Sequence, residues 1–264
     1  MYATNFFENK MLMLLKGESI TPPTNMYLAL YQSDPTDTGT GGLEVTYTGY
    51  ARRQVNFTEP AAEGNGLSMS NTSMITFPEV PVTSGSVNYV AVMDNPTIGS
   101  GNMWLYGKIE PGLSLQAGVS PVFRANTVKW IWSGNLSTYY RTKIMKVLAG
   151  VSRPTCAGFT PYIALCNGNP TGSGNEFSGN NYTRIPVEFT NPAQQTSGAG
   201  MVQNTQDILS GVASGNWGDL DTVAIYDASS QGNAFAVLPL GTSYRVITGY
   251  AVGFHQGGIQ FNVN

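Results

Sequence analysis

The sequence predicts an all-β protein: two tandem antiparallel β-sandwich or jelly-roll-like domains, each preceded by a short amphipathic helix. Three observations predict it. The chain repeats itself, each repeat is filled with short strand-like runs between turn residues, and each opens on one helical run. Tyr27 to Pro35 reads YLALYQSDP and Tyr162 to Pro170 reads YIALCNGNP, 135 residues apart (162 minus 27). Tyr50-Ala51-Arg52 answers Tyr182-Thr183-Arg184, and Val55-Asn56-Phe57 answers Val187-Glu188-Phe189. Val90 to Asp94 answers Val223 to Asp227 at an offset of 133 (227 minus 94). Landmarks in one order at nearly one offset mark an internal duplication. The domains are placed at 1–133 and 134–264.

The helices come first in each copy. Asn5 to Lys16 is apolar at 6, 7, 11, 14 and 15, and Thr138 to Ala149 sets Tyr140, Ile144, Val147 and Leu148 on one face. Both match the i, i+3, i+4 spacing of an amphipathic helix. Ser137 is placed to cap the second helix, and Gly17 and Gly150 stand where a left-handed C-terminal cap favours glycine.

Strands follow. Met26 to Gln32 and Pro161 to Asn167 are short apolar runs, then Asp-Pro or Asn-Pro turns, then the alternating runs Ala51 to Phe57 and Thr183 to Phe189. Further strands are expected at 72–77, 87–93, 103–109, 121–124 and 127–132, and at 205–209, 220–226, 234–238, 245–253 and 258–263. No strand–helix–strand alternation occurs, which disfavours a parallel sheet. The joint at Ser133 to Ser137 is too short for a free tether, so the copies are expected in a fixed relation.

Composition narrows the function. Charged residues are 11% of the chain, against about a quarter in an average soluble protein. Net charge is −3 and no basic stripe exists, which argues against nucleic acid. The three positives between Arg141 and Lys146 read as a solvated helix face. No apolar run reaches membrane-spanning length, and the N-terminus shows no secretory signal. Cys156 and Cys166 read as free, buried small hydrophobes.

The duplication tests any proposed chemistry, because the residues shared between copies are packing and turn residues and one Arg. Asp34 becomes Asn169, Asp37 becomes Gly172, and Lys129 has no basic counterpart. The one histidine, His255, lies in a glycine-rich turn, which makes a catalytic triad an unfavoured reading. Asp34, Asp37 and Glu44 do not have calcium-loop spacing, and Asp94 and Asp227 read as turn residues. The sequence therefore nominates no catalytic residue, no cofactor site and no metal site. A pair of acids brought together by distant strands, as in glycoside cleavage, stays open as the least favoured class. Trp104, Trp130, Trp132 and Trp217 are the soft functional signal. Trp130 and Trp132 share one strand face and must be covered, while Trp104 and Trp217 are candidates for a sugar-stacking surface.

These residues resemble a family of small tailed-phage virion proteins, often labelled phage tail fibre protein. The elements are Asn5 to Leu15, Pro22-Pro23, Tyr27 to Leu30, Ser33-Asp34-Pro35, Tyr50-Ala51-Arg52 and Val87 to Asp94. The second copy keeps Tyr162 to Leu165, Tyr182 with Arg184, and Val223 to Asp227, but lacks the Asp-Pro and the double Pro. Family members are usually one copy long. The resemblance implies a non-enzymatic virion protein, assembled in the host cytoplasm with other virion proteins. It supplies no catalytic residues. A fibre shaft needs heptads or β-helix repeats, which are missing, so a compact accessory is expected. A capsid cement or decoration protein is the first expectation, its neutral surface packed between capsid subunits. The alternative is a tail, neck or baseplate accessory that binds a host receptor or glycan. A homo-oligomer is expected, a trimer giving a pseudo-sixfold ring of copies, with neither nucleic acid nor membrane as partner.

Overall fold

The computed structural model describes residues 1–134, 136–150, 155–194 and 200–263. Copy one contains β1 (Tyr2–Ala3), α1 (Asn5–Leu15), β2 (Met26–Tyr31), β3 (Arg53–Val55), β4 (Ala61–Glu63), β5 (Gly66–Ser70), β6 (Ile75–Thr76), β7 (Ser86–Met93), β8 (Met103–Ser114), β9 (Val122–Phe123) and β10 (Lys129–Trp132). Copy two contains α2 (Thr138–Lys146), β11 (Tyr162–Asn167), β12 (Asn175–Glu176), β13 (Ile185–Pro186), β14 (Ala193–Gln194), β15 (Gly200–Gln203), β16 (Ile208–Leu209), β17 (Gly218–Tyr226), β18 (Ala234–Val246), β19 (Gly253–Phe254) and β20 (Gln260–Val263).

The fold is all-β and antiparallel in both copies. The large sheet of copy one runs β1-β8-β7-β2-β3, opposed by a small sheet β10-β5-β4. Copy two repeats this with β12-β11-β17-β18, β13 pairing β11, opposed by β14-β15-β20. The registers coincide: Ala29 faces Ala91 as Ala164 faces Ala224, and Val92 faces Leu105 as Ile225 faces Ala236. The central strands β2 and β11 are buried along nearly their whole length. Both their faces are covered, so they read as unbroken apolar runs instead of alternating ones.

The helices form where the spacing predicts. Thr4 and Ser137 hold extended N-cap conformations, and their side chains accept from Phe7 N and Tyr140 N. Gly17 and Gly150 take φ of +102° and +68°, the left-handed backbone that glycine tolerates. Each helix packs an aromatic pair on the long strand of its own copy. Phe6 and Phe7 meet Trp104, and Tyr139 and Tyr140 meet Phe235 at the matching position.

Each helix also reaches across to the other copy. α1 packs on β15 and β20, and α2 packs on β5. The Tyr140 hydroxyl donates to Met11 O, joining the two helices. Trp130 and Trp132 stack with ring centroids 5.5 Å apart, under Phe7 of α1 and Tyr140 of α2 respectively. Ile20 and Cys156 exchange backbone hydrogen bonds, and Gly150 N donates to Phe57 O. The contact is reciprocal, since the same element of each copy meets the same element of the other. That is the isologous pattern of a two-fold pair. One continuous apolar cluster runs through both copies, from Phe7 to Val263.

Three expectations are corrected. The hairpin β4–β5 and its counterpart β14–β15 were not foreseen, and they supply the surface on which the helices sit. The strand expected at 245–253 is not one strand: β18 continues from 234 to Val246, and β19 covers only Gly253–Phe254. Arg141 is not on a solvated face. It is buried and donates to Trp132 O at 3.0 Å and Asn65 O at 3.5 Å. At the joint, Asn135 lies outside the described residues. Ser137 beside it donates its backbone N–H to Phe235 O, as Thr4 does to Trp104 O in copy one, which fixes both helix starts on their sheets.

A shared core predicts one cooperative unfolding event. Calorimetry of the whole chain is expected to give a single transition in which both copies melt together. Tyr140→Ala, which empties the junction, is expected to destabilise that transition by about 3–5 kcal/mol without splitting it. Two separate transitions would mean that the copies are independent.

Candidate functional site

The polar groups that survived duplication are joined in space. In copy one, Arg52 Nε and Nη2 donate to Glu44 Oε1 and Oε2 at 2.8 and 2.7 Å, a bidentate pair. Its Nη1 donates to Asn95 O and Ser100 O, which ties down the β7–β8 turn. Tyr50 donates to Glu44 Oε1 and accepts from Leu30 N on the central strand. Copy two repeats every contact. Arg184 pairs with Glu176 at 2.8 and 2.7 Å and donates to Ala228 O and Gln231 O, and Tyr182 bridges Glu176 and Leu165 N. Glu176 matches Glu44 in role, a pairing hidden in the sequence by a shorter loop.

The electrostatics are those of a structural clamp. Burial alone would lower the Arg52 guanidinium, but its hydrogen bonds and charge pairing with Glu44 outweigh that and leave its pKa above the ordinary value. Burial pushes the Tyr50 and Tyr182 phenols far above theirs. The clamp groups are thus engaged with one another and with the turn backbone they hold. Arg184 also stacks on Tyr226, its guanidinium carbon 3.5 Å from the ring centroid.

Two further clamps are duplicated. Asp94 accepts from Asn102 N and Nδ2, and Asp227 accepts from Asn233 N and Nδ2, closing the hairpin turns. This is the turn role read from the sequence. The buried Asn71 donates to Ser73 O and Arg124 O and accepts from Val128 N. Asn204 repeats this with Gln206 O, His255 O and Ile259 N. Sequence reasoning missed this asparagine pair, although the 133-residue offset (204 minus 71) was a usable signal.

The remaining candidates separate. Asp34 accepts from Thr36 N, and Asn169 accepts from Thr171 N in the same turn, so that acid is replaceable by its amide. Glu44 belongs to the clamp, and among the described residues no group of three or more His, Cys, Asp or Glu is placed to hold a metal. The His255 side chain is 99% exposed, with Asp207 at 3.9 Å. Cys156 and Cys166 are buried and free, and burial pushes the Cys166 thiol up to about 12. No helix among the described residues is long and apolar enough to cross a membrane.

Trp104 and Trp217, offered as sugar-stacking residues, are buried, and that expectation is corrected. The Trp104 indole donates to Asp94 Oδ2. Trp217 fills copy two's core in place of Phe77. Phe77 of copy one stacks on Tyr50 at 6.0 Å, whereas its counterpart by register is Ser210, and Trp217 lies against Tyr182 at 5.4 Å instead. Among the described residues the exposed aromatics are Tyr2, Tyr139, Tyr244 and Tyr250.

This duplicated module is matched by a known family. A family model described as podophage GP4 fiber I protein gp80 covers residues 2–131 and again 135–262. The chain belongs to this family. The family's module is matched twice in tandem. No curated protein matches the chain.

The clamps make a graded prediction. Removing one charge leaves the other buried, at a cost of about 3–5 kcal/mol for a fully buried pair. The side chains of Arg52 and Glu44 are 1% and 9% exposed, those of Arg184 and Glu176 6% and 22%. Glu44→Gln is therefore expected to destabilise more than Glu176→Gln in chemical denaturation.

A second prediction concerns Glu8, buried beneath copy two with Oε1 unpartnered and Oε2 accepting from Gly200 N. Burial, and secondarily Asp37, push its pKa up to about 7. The protonated form is favoured in the folded state. Its stabilisation is complete below the ordinary carboxylate value and lost as pH rises towards 7, a change of roughly 3 kcal/mol. Glu8→Gln is expected to flatten that slope and to stabilise the protein at pH 8, measured by urea denaturation from pH 4.5 to 8.

Proposed function

We propose that this chain is a non-enzymatic structural component of a tailed-phage virion, built into the fibre apparatus at the tail or neck. The carrying observation is that both modules match one podophage fibre family across nearly their whole length. The clamps support the non-enzymatic part of the reading, since the ionisable groups kept in both copies are used up in holding turns. The capsid-decoration alternative rests on the weakly charged surface, which suits any closely packed position in a particle. The family match favours the fibre position over it. Other virion proteins and further copies of this chain are the proposed partners.

The reciprocal contact bears on assembly. An isologous contact closes on itself after two modules. A pseudo-sixfold ring that continues one repeated contact around an axis cannot be built from it, and a trimer must use other surfaces.

Cryo-EM of the phage particle tests the reading. The two-module body is expected as density at the tail or neck. Density repeated over the capsid lattice would transfer it to decoration, and absence from purified particles by mass spectrometry would remove the virion reading.

A further inference from the structure

The two copies agree where the fold is held together and diverge at one surface cleft. In copy two the cleft has a volume of about 710 Å³ and lies between the far end of β18 and the segment leading into β19. Its walls include Leu240 and Phe254, and its rim carries Tyr244, Tyr250, Ser243 and Arg245. Tyr244 and Tyr250 are 57% and 59% exposed, unusual for rings of that size. Arg245 stands 3.6 Å from Asp219, and both side chains are open to solvent.

Register identifies the same place in copy one. Tyr244 faces Leu220 and Arg245 faces Asp219, where copy one has Leu113 facing Val87 and Ser114 facing Ser86. Tyr250 closes a turn onto Ile247 and accepts from Ala213 N, as Val119 closes onto Gln116 and accepts from Val80 N. Copy two therefore has two tyrosine faces and an ion pair where copy one has aliphatic residues and serines.

We propose that this cleft is a saccharide-binding site. A pyranose ring presents a flat patch of C–H groups, ringed by hydroxyls that both donate and accept. Exposed tyrosine faces take the C–H patch. A guanidinium beside a carboxylate supplies donors and acceptors to neighbouring hydroxyls. The volume falls within the range of small-ligand clefts, enough for a short oligosaccharide. An anionic ligand such as phosphate fits less well, because Asp219 stands next to the one cation. The proposal does not rest on the position of the protein in the particle.

The test is binding of the whole chain to a printed array of bacterial surface polysaccharides, followed by saturation-transfer NMR with the oligosaccharide that scores. Wild type is expected to hold at least one glycan, with saturation at the tyrosine-facing protons of the sugar. Tyr244→Ala and Tyr250→Ala are each expected to weaken binding about tenfold. Tyr244→Phe and Tyr250→Phe, which keep the rings, are expected to retain most of it, and Leu113→Ala in copy one to leave it unchanged. Both tyrosines are exposed, so circular dichroism of the variants is expected to match wild type. Wild type that holds no glycan above the uncoated surface, or an unaltered affinity in the double alanine variant, would overturn the proposal. Either result leaves the virion position, read separately by cryo-EM, untouched.

Discussion

The structure depends on each helix being shared between two sheets. Each module alone has a large sheet with a helix on its long strand and a small sheet whose outer layer is supplied by the other module. Trp130 and Trp132 stack in the first copy, and in a solitary first copy Trp132 would lose the ring that covers it. Phe7 and Tyr140 cover them, and Tyr140 comes from the second copy. Burial of such area is the dominant favourable term in folding, and it is split between modules. The joint between the modules can therefore be short, because it has only to connect two surfaces already in contact.

The shared helices also explain the sequence differences between copies. Glu8 and Arg141 occupy matching helix positions and both reach into the partner module. Glu8 accepts from Gly200 N, and Arg141 donates to Trp132 O and Asn65 O. A duplicated gene product is free to let the two halves of one interface become unlike. Elsewhere the differences compensate within a copy. The outer face of the large sheet carries Tyr31, Met93 and Met103 in copy one and Cys166, Tyr226 and Ala234 in copy two, so that the ring changes strand but stays in the cluster. Close packing permits such exchanges only when volume is returned nearby.

Much of the fold was legible because duplication doubles every signal. The offset between YLALYQ and YIALCN located the central strands, and helical spacing with Ser137 and Gly150 located the helix. The hairpins β4–β5 and β14–β15 were missed for a physical reason. Their runs are short and rich in Gly, Ser, Ala and Gln, and β5 is buried on both faces, one of them beside the other copy's helix, so its pattern does not alternate. The polar clamps were half legible. Arg52 and Arg184 stood out as the shared basic residue, but Glu44 and Glu176 were masked by unequal loops, and Asn71 and Asn204 by the ordinary look of a turn asparagine. Trp217 misled because composition counts aromatics without saying which side of a sheet they face. The clue was the coupled change of Phe77 to Ser210 and Ser84 to Trp217, which only the register reveals.

The reciprocal contact finally separates what is fixed from what is free in this chain. Surfaces buried between the modules cannot serve an outside partner, and the clamps cannot change charge without loosening the turns they hold. What remains for recognition is the periphery of the sandwiches, at the far ends of the long strands β8 and β18. There the backbone is held alike in both copies while the side chains differ in chemistry, with Leu113 and Val119 in one and Tyr244 and Tyr250 in the other. A tandem pair with equivalent cores and unequal tips can keep one module as a support while the other acquires a ligand. The geometry allows that division, because the helices hold the modules together and leave the strand tips to vary.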